Sequence, residues 1–236
     1  MSNLTGDARA RYVRHMFGRI APRYDLLNRL MTFGLDRSWR VELIRRLDLP
    51  TAPRVLDLGS GTGDLALEAL KRRPSARVVA ADFTPEMMRI GQRRAGAEHV
   101  QWVVADAARL PFAGATFDAA VSGFLLRNVP EVDRVLSEEL RVLHPGGRVG
   151  SLDTTPPSRS WLRPLLSFHL HTVIPLLGRI LAGDPEAYIY LPQSTERFVE
   201  AGALAARMAA AGFREVSYTR RMLGTIALHW GTGPAD

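Results

Sequence analysis

The sequence contains no cysteine and a single lysine, Lys71. Without cysteine there can be no disulfide framework, no thiolate nucleophile and no sulfur-based zinc site. No apolar run approaches the roughly 20 residues that span a bilayer. Arg, Pro or Gly interrupts each one, and the N-terminus has no apolar signal region. A cytoplasmic protein is expected. His and carboxylates nowhere cluster at ligand spacing, so no metal is expected, and there are no internal repeats.

What is present is 236 residues, 46% hydrophobic and 23% charged, which is enough for one sizeable core and one domain over residues 1–236. The net charge of +7 rests on arginines spread along the chain, apart from pairs such as Arg45-Arg46, Arg72-Arg73 and Arg220-Arg221. A nucleic-acid arm would concentrate them, and the Asn-Pro-Pro-Tyr and Asp-Pro-Pro-Tyr signatures of base-amine chemistry are missing. No nucleic-acid partner is expected.

Between residues 53 and 155 short apolar runs, "RVLDLG", "ARVVAAD", "VQWVVAD", "FDAAVSGF" and "GRVGSLD", alternate with helical patterns such as "DLALEALKRRP" and "EVDRVLSEELRVL". Buried parallel strands joined by crossover helices produce this order. Pro74 closes one helix, Pro130 opens another, and "HPGG" at 144 to 147 stops it before the next strand. "TERFVEAGALAARMAAAGF" reads as a helix with Gly212 as its C-cap, and "REVSYTRRMLGTIALHWG" as two strands forming an antiparallel edge. The fold class is α/β, a doubly wound, mostly parallel Rossmann-like sheet with an antiparallel edge strand. Residues 10–45 read as a helical segment ahead of the sheet, and residues 156–200, where Pro164 and Pro175 argue against one continuous helix, as a helical insertion or cap.

The loop "VLDLGSGTGDLAL" follows a strand and opens a helix, with Gly59, Gly61 and Gly63 spaced two apart. Glycine there allows a tight turn and close approach of a ligand. Asp57 and Asp64 flank it, and their charge opposes a pyrophosphate but suits a ligand with an ammonium or sulfonium group. Asp82 ends the next strand, where a carboxylate accepts from ribose hydroxyls; Asp106 ends the third, within reach of an adenine amine, with the Ala107 N–H beside it. Each acid alone reads equally well as a cap or turn residue. Together with the loop they point to a class I S-adenosylmethionine-dependent methyltransferase, with Tyr24, Asp57, Gly59, Gly61, Thr62, Gly63, Asp82, Phe83, Asp106, Ala107 and Gly123 as the candidate cofactor-binding set.

More selective segments are "MFGRIAPRYDLLNRLMTFGLDRSWR", "LRNVP", "AYIYLPQS" and "GTIALHWG". With them the chain, from about Val13 to Gly231, resembles the ubiquinone and menaquinone biosynthesis C-methyltransferases. The resemblance implies methyl transfer to a ring carbon of a polyprenylated quinol, demethylmenaquinol before a ubiquinol precursor. It also implies that residues 10–45 close over the cofactor, with Leu26, Leu27, Leu30 and Met31 on an apolar face and Tyr24 and Asn28 on a neighbouring one. Arg127 and Asn128 are the candidate catalytic residues, stabilising the oxyanion of an ionising hydroxyl. His169 and His171 read as packing or surface residues. The apolar "WLRPLLSFHLHTVIPLLGRILAG", with Arg163 and Arg179, suits a prenyl tail and a transient contact with the inner membrane face, and a homodimer is compatible with the sequence.

Some positions depart from the family pattern. Asp153, Thr154, Thr155 and Pro156 replace a usual Glu-Phe-Ser-Lys, and "GFLLRN" replaces "SFGLRN", placing Gly123 for Ser and Leu125 for Gly. These sites surround the acceptor, so a different amphipathic aromatic acceptor, or a homologue that binds cofactor without turnover, stays open.

Overall fold

The computed structural model describes residues 6–156, 172, 190 and 193–235. Its centre is a seven-stranded sheet in the order β3-β2-β1-β4-β5-β7-β6. The strands are β1 (Arg54–Leu58), β2 (Arg77–Asp82), β3 (Val100–Val104), β4 (Phe117–Gly123), β5 (Leu143–Thr154), β6 (Arg214–Arg221) and β7 (Ile226–Thr232). Five run parallel, β7 pairs antiparallel with both β5 and β6, and the expected antiparallel edge is this β6–β7 hairpin.

The chain moves outward from β1 through β2 to β3, then returns to place β4 on the other side of β1. That reversal opens a crevice beyond the carboxyl ends of β1 and β4, where ligands bind in such sheets. Successive side chains of a strand point to opposite faces, and both faces are covered. Val55, Val78, Ala119 and Leu152 pack under α2 (Asp36–Arg46) and α3 (Asp64–Arg72), whereas Leu56, Leu58, Ala120 and Val149 pack under α5 (Val132–Val142) and α6 (Ala201–Ala210). A short helix, α4 (Pro85–Gly91), follows β2.

The apolar stripe of α5 contains an anomaly. Its buried positions are Val135, Leu136, Glu139 and Val142, and Glu139 is fully enclosed with both carboxyl oxygens lacking a hydrogen-bond partner.

Three sequence expectations change. "HPGG" does end α5, but it lies within β5: Phe117 pairs with Leu143 and Ala119 with Arg148, so residues 144 to 147 bulge out of register, helped by Gly146 at φ +71°. The single helix read over 195–213 is interrupted, because Glu200 takes extended angles (φ −63°, ψ 153°) while Phe198 and Val199 pack into the core. Gly212, at φ +111°, does follow the end of α6.

The third change concerns α1 (Gly6–Met31), the long N-terminal helix. Its buried stripe is Met16, Ile20, Leu27 and Met31, whereas Leu26 and Leu30 are exposed. Four adjacent apolar residues span more than one helix face, and packing chose the stripe continuous with Met16 and Ile20. Of the expected insertion, Pro164, His169, His171, Pro175, Arg163 and Arg179 lie outside the described residues.

Candidate active site

The carboxyl ends of β1, β2 and β4, the loop after β3 and the inner face of α1 enclose two adjoining compartments. The larger is lined by Tyr24, Gly59, Gly61, Asp82, Phe83, Asp106, Ala107, Gly123 and Asn128, together with Phe17, Met87 and Leu125. The smaller and more polar one is lined by Asp57, Thr62, Asp64 and Arg40, and shares Tyr24, Gly59, Gly61 and Gly123 with its neighbour. Two expected residues line neither, Gly63 and Arg127.

The glycine loop is built as its spacing requires. Gly59, Gly61 and Gly63 have φ of +63°, +55° and +81°, a region costly for residues bearing a Cβ. A Cβ on Gly59 would come within 2.6 Å of Leu125 Cδ1. Leu125 is one of the departures from the family pattern, and here it forms the cleft wall over the loop. On Gly63 a Cβ would meet the Trp102 ring at 2.6 Å, so Gly63 keeps the loop close to β3 and does not face the ligand space.

The acids are held from behind. Asp82 accepts from the Gly61 N–H at 2.7 Å and the Thr84 N–H at 2.6 Å, which ties the loop to the end of β2. Burial raises its pKa against these hydrogen bonds. Asp57 accepts from the Ala66 N–H at 2.9 Å. Burial, aided by the charges of Asp64 and Asp82, lifts Asp57 to about 7, so a cationic ligand would find a carboxyl ready to ionise beside it. Burial also acts on Asp64, but Arg40 (3.1 Å) and Arg94 (2.7 Å) outweigh it and lower its pKa. Asp106 is exposed and accepts from the Ala108 N–H at 2.9 Å, and Ala107 between them lines the cleft.

Helix α1 is fastened to this loop. Thr62 Oγ1 donates to Asp25 Oδ1 at 2.7 Å, and Arg94 donates to the Thr62 carbonyl at 2.8 Å. Arg14 lies over the Phe83 ring at 5.2 Å, and Arg9 donates to the Arg127 carbonyl at 2.9 Å. Tyr24 stands where the two compartments meet. Burial raises its pKa, with Arg127 opposing, so it stays a neutral hydroxyl.

The turn Leu126–Asn128 follows β4. Arg127 is buried and pairs with Asp153 Oδ1 at 2.6 Å, while its guanidinium sits 4.9 Å from the Phe124 ring centre. Asn128 faces the cleft; its Nδ2 donates to the Phe124 carbonyl at 2.8 Å and its Oδ1 accepts from the Tyr190 hydroxyl at 3.1 Å. Sequence reasoning missed Tyr190, although it lies in the selective segment "AYIYLPQS". It also missed Phe17, Met87 and Arg40, whose roles depend on how α1, α4 and α2 pack.

The model of the ubiE/COQ5 methyltransferase family matches residues 5–233. A ubiquinone/menaquinone biosynthesis C-methyltransferase UbiE of Desulfotalea psychrophila is 46% identical over 93% of this chain and 89% of its own. A demethylmenaquinone methyltransferase of Thermus thermophilus is 46% identical over 93% of this chain and all of its own. Among solved structures, an S-adenosylmethionine-dependent methyltransferase from Thermotoga maritima superposes with a TM-score of 0.66 at 20% identity, covering 93% of this chain and 99% of that one. The [4+2]-cyclase SpnF superposes at 0.65 and 19% identity, covering 85% and 81%, so the fold alone does not fix the chemistry. Matched by the family model over residues 5–233 and 46% identical to relatives over nearly their whole length, the chain belongs to the ubiE/COQ5 methyltransferase family.

Proposed function

We propose that the chain transfers the methyl group of S-adenosylmethionine to a ring carbon of a polyprenylated quinol, demethylmenaquinol being the preferred acceptor. The observation that carries this reading is the pairing of an acid-rich polar compartment with an apolar one across Tyr24, Gly59 and Gly123. The polar side suits an amino-acid end, with Asp57 and Asp64 toward its ammonium. Asp82 and Asp106, which line the larger compartment with Phe83 and Ala107, are the acceptors we assign to the ribose hydroxyls and the adenine amine. The bound donor supplies an electrophilic methyl group on a sulfonium.

The protein's contributions are alignment, exclusion of water and charge stabilisation. Helix α1, fastened through Asp25 to Thr62, acts as the lid of the cleft. A phenolic hydroxyl has a pKa near 10, as in tyrosine, and its ring carbon gains nucleophilicity as it ionises. Asn128 is fixed at both ends of its amide, by the Phe124 carbonyl and the Tyr190 hydroxyl. Its remaining N–H is the donor offered to the developing oxyanion, a preorganised interaction worth more in a dry site than in water. Arg127 acts from behind, holding the turn against Asp153 and adding positive charge.

The deciding experiment is transfer of labelled methyl to reduced demethylmenaquinone, beside a short-tailed demethylubiquinol. Product with the naphthoquinol is expected, and Asn128→Ala should lower kcat about 100-fold, the scale of losing an oxyanion donor. Tyr190→Phe should lower kcat about tenfold with little change in KM, because the amide is loosened but kept. No product from either quinol, with cofactor still bound, would direct attention to another amphipathic aromatic acceptor.

The glycine loop supplies a further prediction. Gly59→Ala meets both a positive φ and Leu125 at 2.6 Å, so donor affinity in calorimetry should fall at least about tenfold. Gly59→Ala combined with Leu125→Gly should recover part of it. Unchanged affinity in the single variant would show that the loop is not where the donor binds.

A further inference from the structure

Phe124 is the residue at which the chain leaves the sheet for the turn that carries Arg127 and Asn128. Gly123 ends β4 opposite Leu152 of β5, and the Phe124 N–H donates to the Leu152 carbonyl at 2.6 Å. Its carbonyl turns the other way and accepts from Asn128 Nδ2 at 2.8 Å. Between these two bonds the backbone takes φ +58°, a left-handed conformation that is costly for a bulky side chain. Glycine would avoid that cost and lose the ring.

The ring is buried, belongs to the apolar cluster of Trp39, Leu43 and Leu65, and lines the larger compartment. Two buried arginines stand over it. The Arg127 guanidinium is 4.9 Å from the ring centre and the Arg40 guanidinium 5.7 Å, both inside the roughly 6 Å over which an aromatic face attracts a cation. Asp153 neutralises the first, and Asp36 and Asp64 the second, so two guanidiniums can share one ring. Arg127 Nε is buried without a hydrogen-bond partner among the described residues, and a π face is a counterpart that such a group can use.

The two arginines serve different parts of the cleft. Arg40, on α2, lines the polar compartment with Asp57, Thr62 and Asp64. Arg127 lines neither compartment and sits in the turn beside Asn128. The Phe124 ring is in contact with both.

We propose that Phe124 is a positioning residue that couples the donor compartment to the acceptor turn. Its ring holds the Arg40 and Arg127 guanidiniums, and its left-handed backbone fixes the Asn128 amide at the cleft. A donor seated beside Arg40 restricts that guanidinium, and the shared ring then holds Arg127 more narrowly. The purpose of this coupling rests on the methyl-transfer reading, in which Asn128 meets the acceptor hydroxyl.

The test follows the Nε–H resonances of Arg40 and Arg127 in the full chain labelled with nitrogen-15 arginine, as S-adenosylhomocysteine, the demethylated donor, is added. Both signals should shift in the wild type, although Arg127 lines neither compartment. Phe124→Leu should lose the Arg127 response and lower kcat at least about tenfold, the scale of losing contacts to two desolvated cations. Phe124→Tyr, which keeps a ring, should restore both. A third protein carries 3,4,5-trifluorophenylalanine at position 124, which keeps the ring's shape and withdraws its negative face. Its thermal midpoint should stay at the wild-type value while its calorimetric affinity for S-adenosylhomocysteine falls about twofold to fivefold.

An Arg127 signal that ignores S-adenosylhomocysteine in the wild type overturns the proposal, as does one that still responds in Phe124→Leu. Wild-type affinity in the fluorinated protein overturns it too, and that protein decides the matter if Phe124→Leu does not fold. The resonance and affinity measurements need no acceptor. An enzyme that shows the coupled shifts but methylates no quinol would keep this role for Phe124 and remove the quinol reading.

Discussion

Replacing Arg127 by alanine should destabilise the protein by about 3–5 kcal/mol and lower turnover at least about tenfold, and a second substitution should separate the two effects. Arg127 and Asp153 are buried together, 2.6 Å apart, so removing the arginine strands a carboxylate in the interior. Asp153→Ala should cost a similar amount by stranding the guanidinium. The double variant removes both charges, so its stability should recover by at least about 2 kcal/mol relative to the sum of the singles. Its turnover should not recover. Denaturant melts of the four proteins measure the first quantity and single-turnover kinetics the second. If turnover returned with stability, the pair would serve only the fold and the chemistry would rest on Asn128.

Glu139 should make the folded state less stable as pH rises from mildly acidic to mildly alkaline. Burial lifts its pKa from 4.5 to about 8, outweighing the opposing influence of the neighbouring Ser122 hydroxyl. Between these values the folded state holds a proton that the unfolded chain has released, so stability falls with pH through this window and levels off above about 8. Integrated over the window, this linkage reaches up to about 5 kcal/mol. Glu139→Gln keeps the shape without the titration. Its stability should match wild type near pH 4.5 and exceed it by several kcal/mol at pH 8. Asp57 and Asp82, also raised, slope the same way in both proteins, and so cancel in the difference between them. Parallel curves for wild type and variant would show that the carboxyl is solvated in the native ensemble.

The pattern of strands and helices was legible in the chain because its causes are local. Apolar runs with small side chains, "RVLDL" and "RVVAAD" among them, became buried parallel strands at the expected places. Gly59, Gly61 and Gly63 announced a turn of positive φ, and acids at strand ends announced hydrogen-bond acceptors at the crevice. These are properties of a few neighbouring residues: which backbone angles a side chain permits, and which period its apolar groups keep.

Other assignments needed the assembled sheet. Arg127 looked like a group free to meet substrate, yet parallel pairing of β4 with β5 brings Asp153, 26 residues on, beneath it. Gly63 looked like its two neighbours until β3 placed Trp102 against it. Leu26 and Leu30 shared an apolar cluster with Leu27 and Met31, and only the packing of α1 separated the buried pair from the exposed one. Tyr190 reaches Asn128 across 62 residues of sequence. The amino-acid order by itself determined most of the elements and the glycine loop, because short-range sterics and periodicity act before any contact forms. Which charge is neutralised, which glycine lines the cleft and which leucine meets water were decided by the tertiary structure, since burial and pairing depend on residues that only folding brings together.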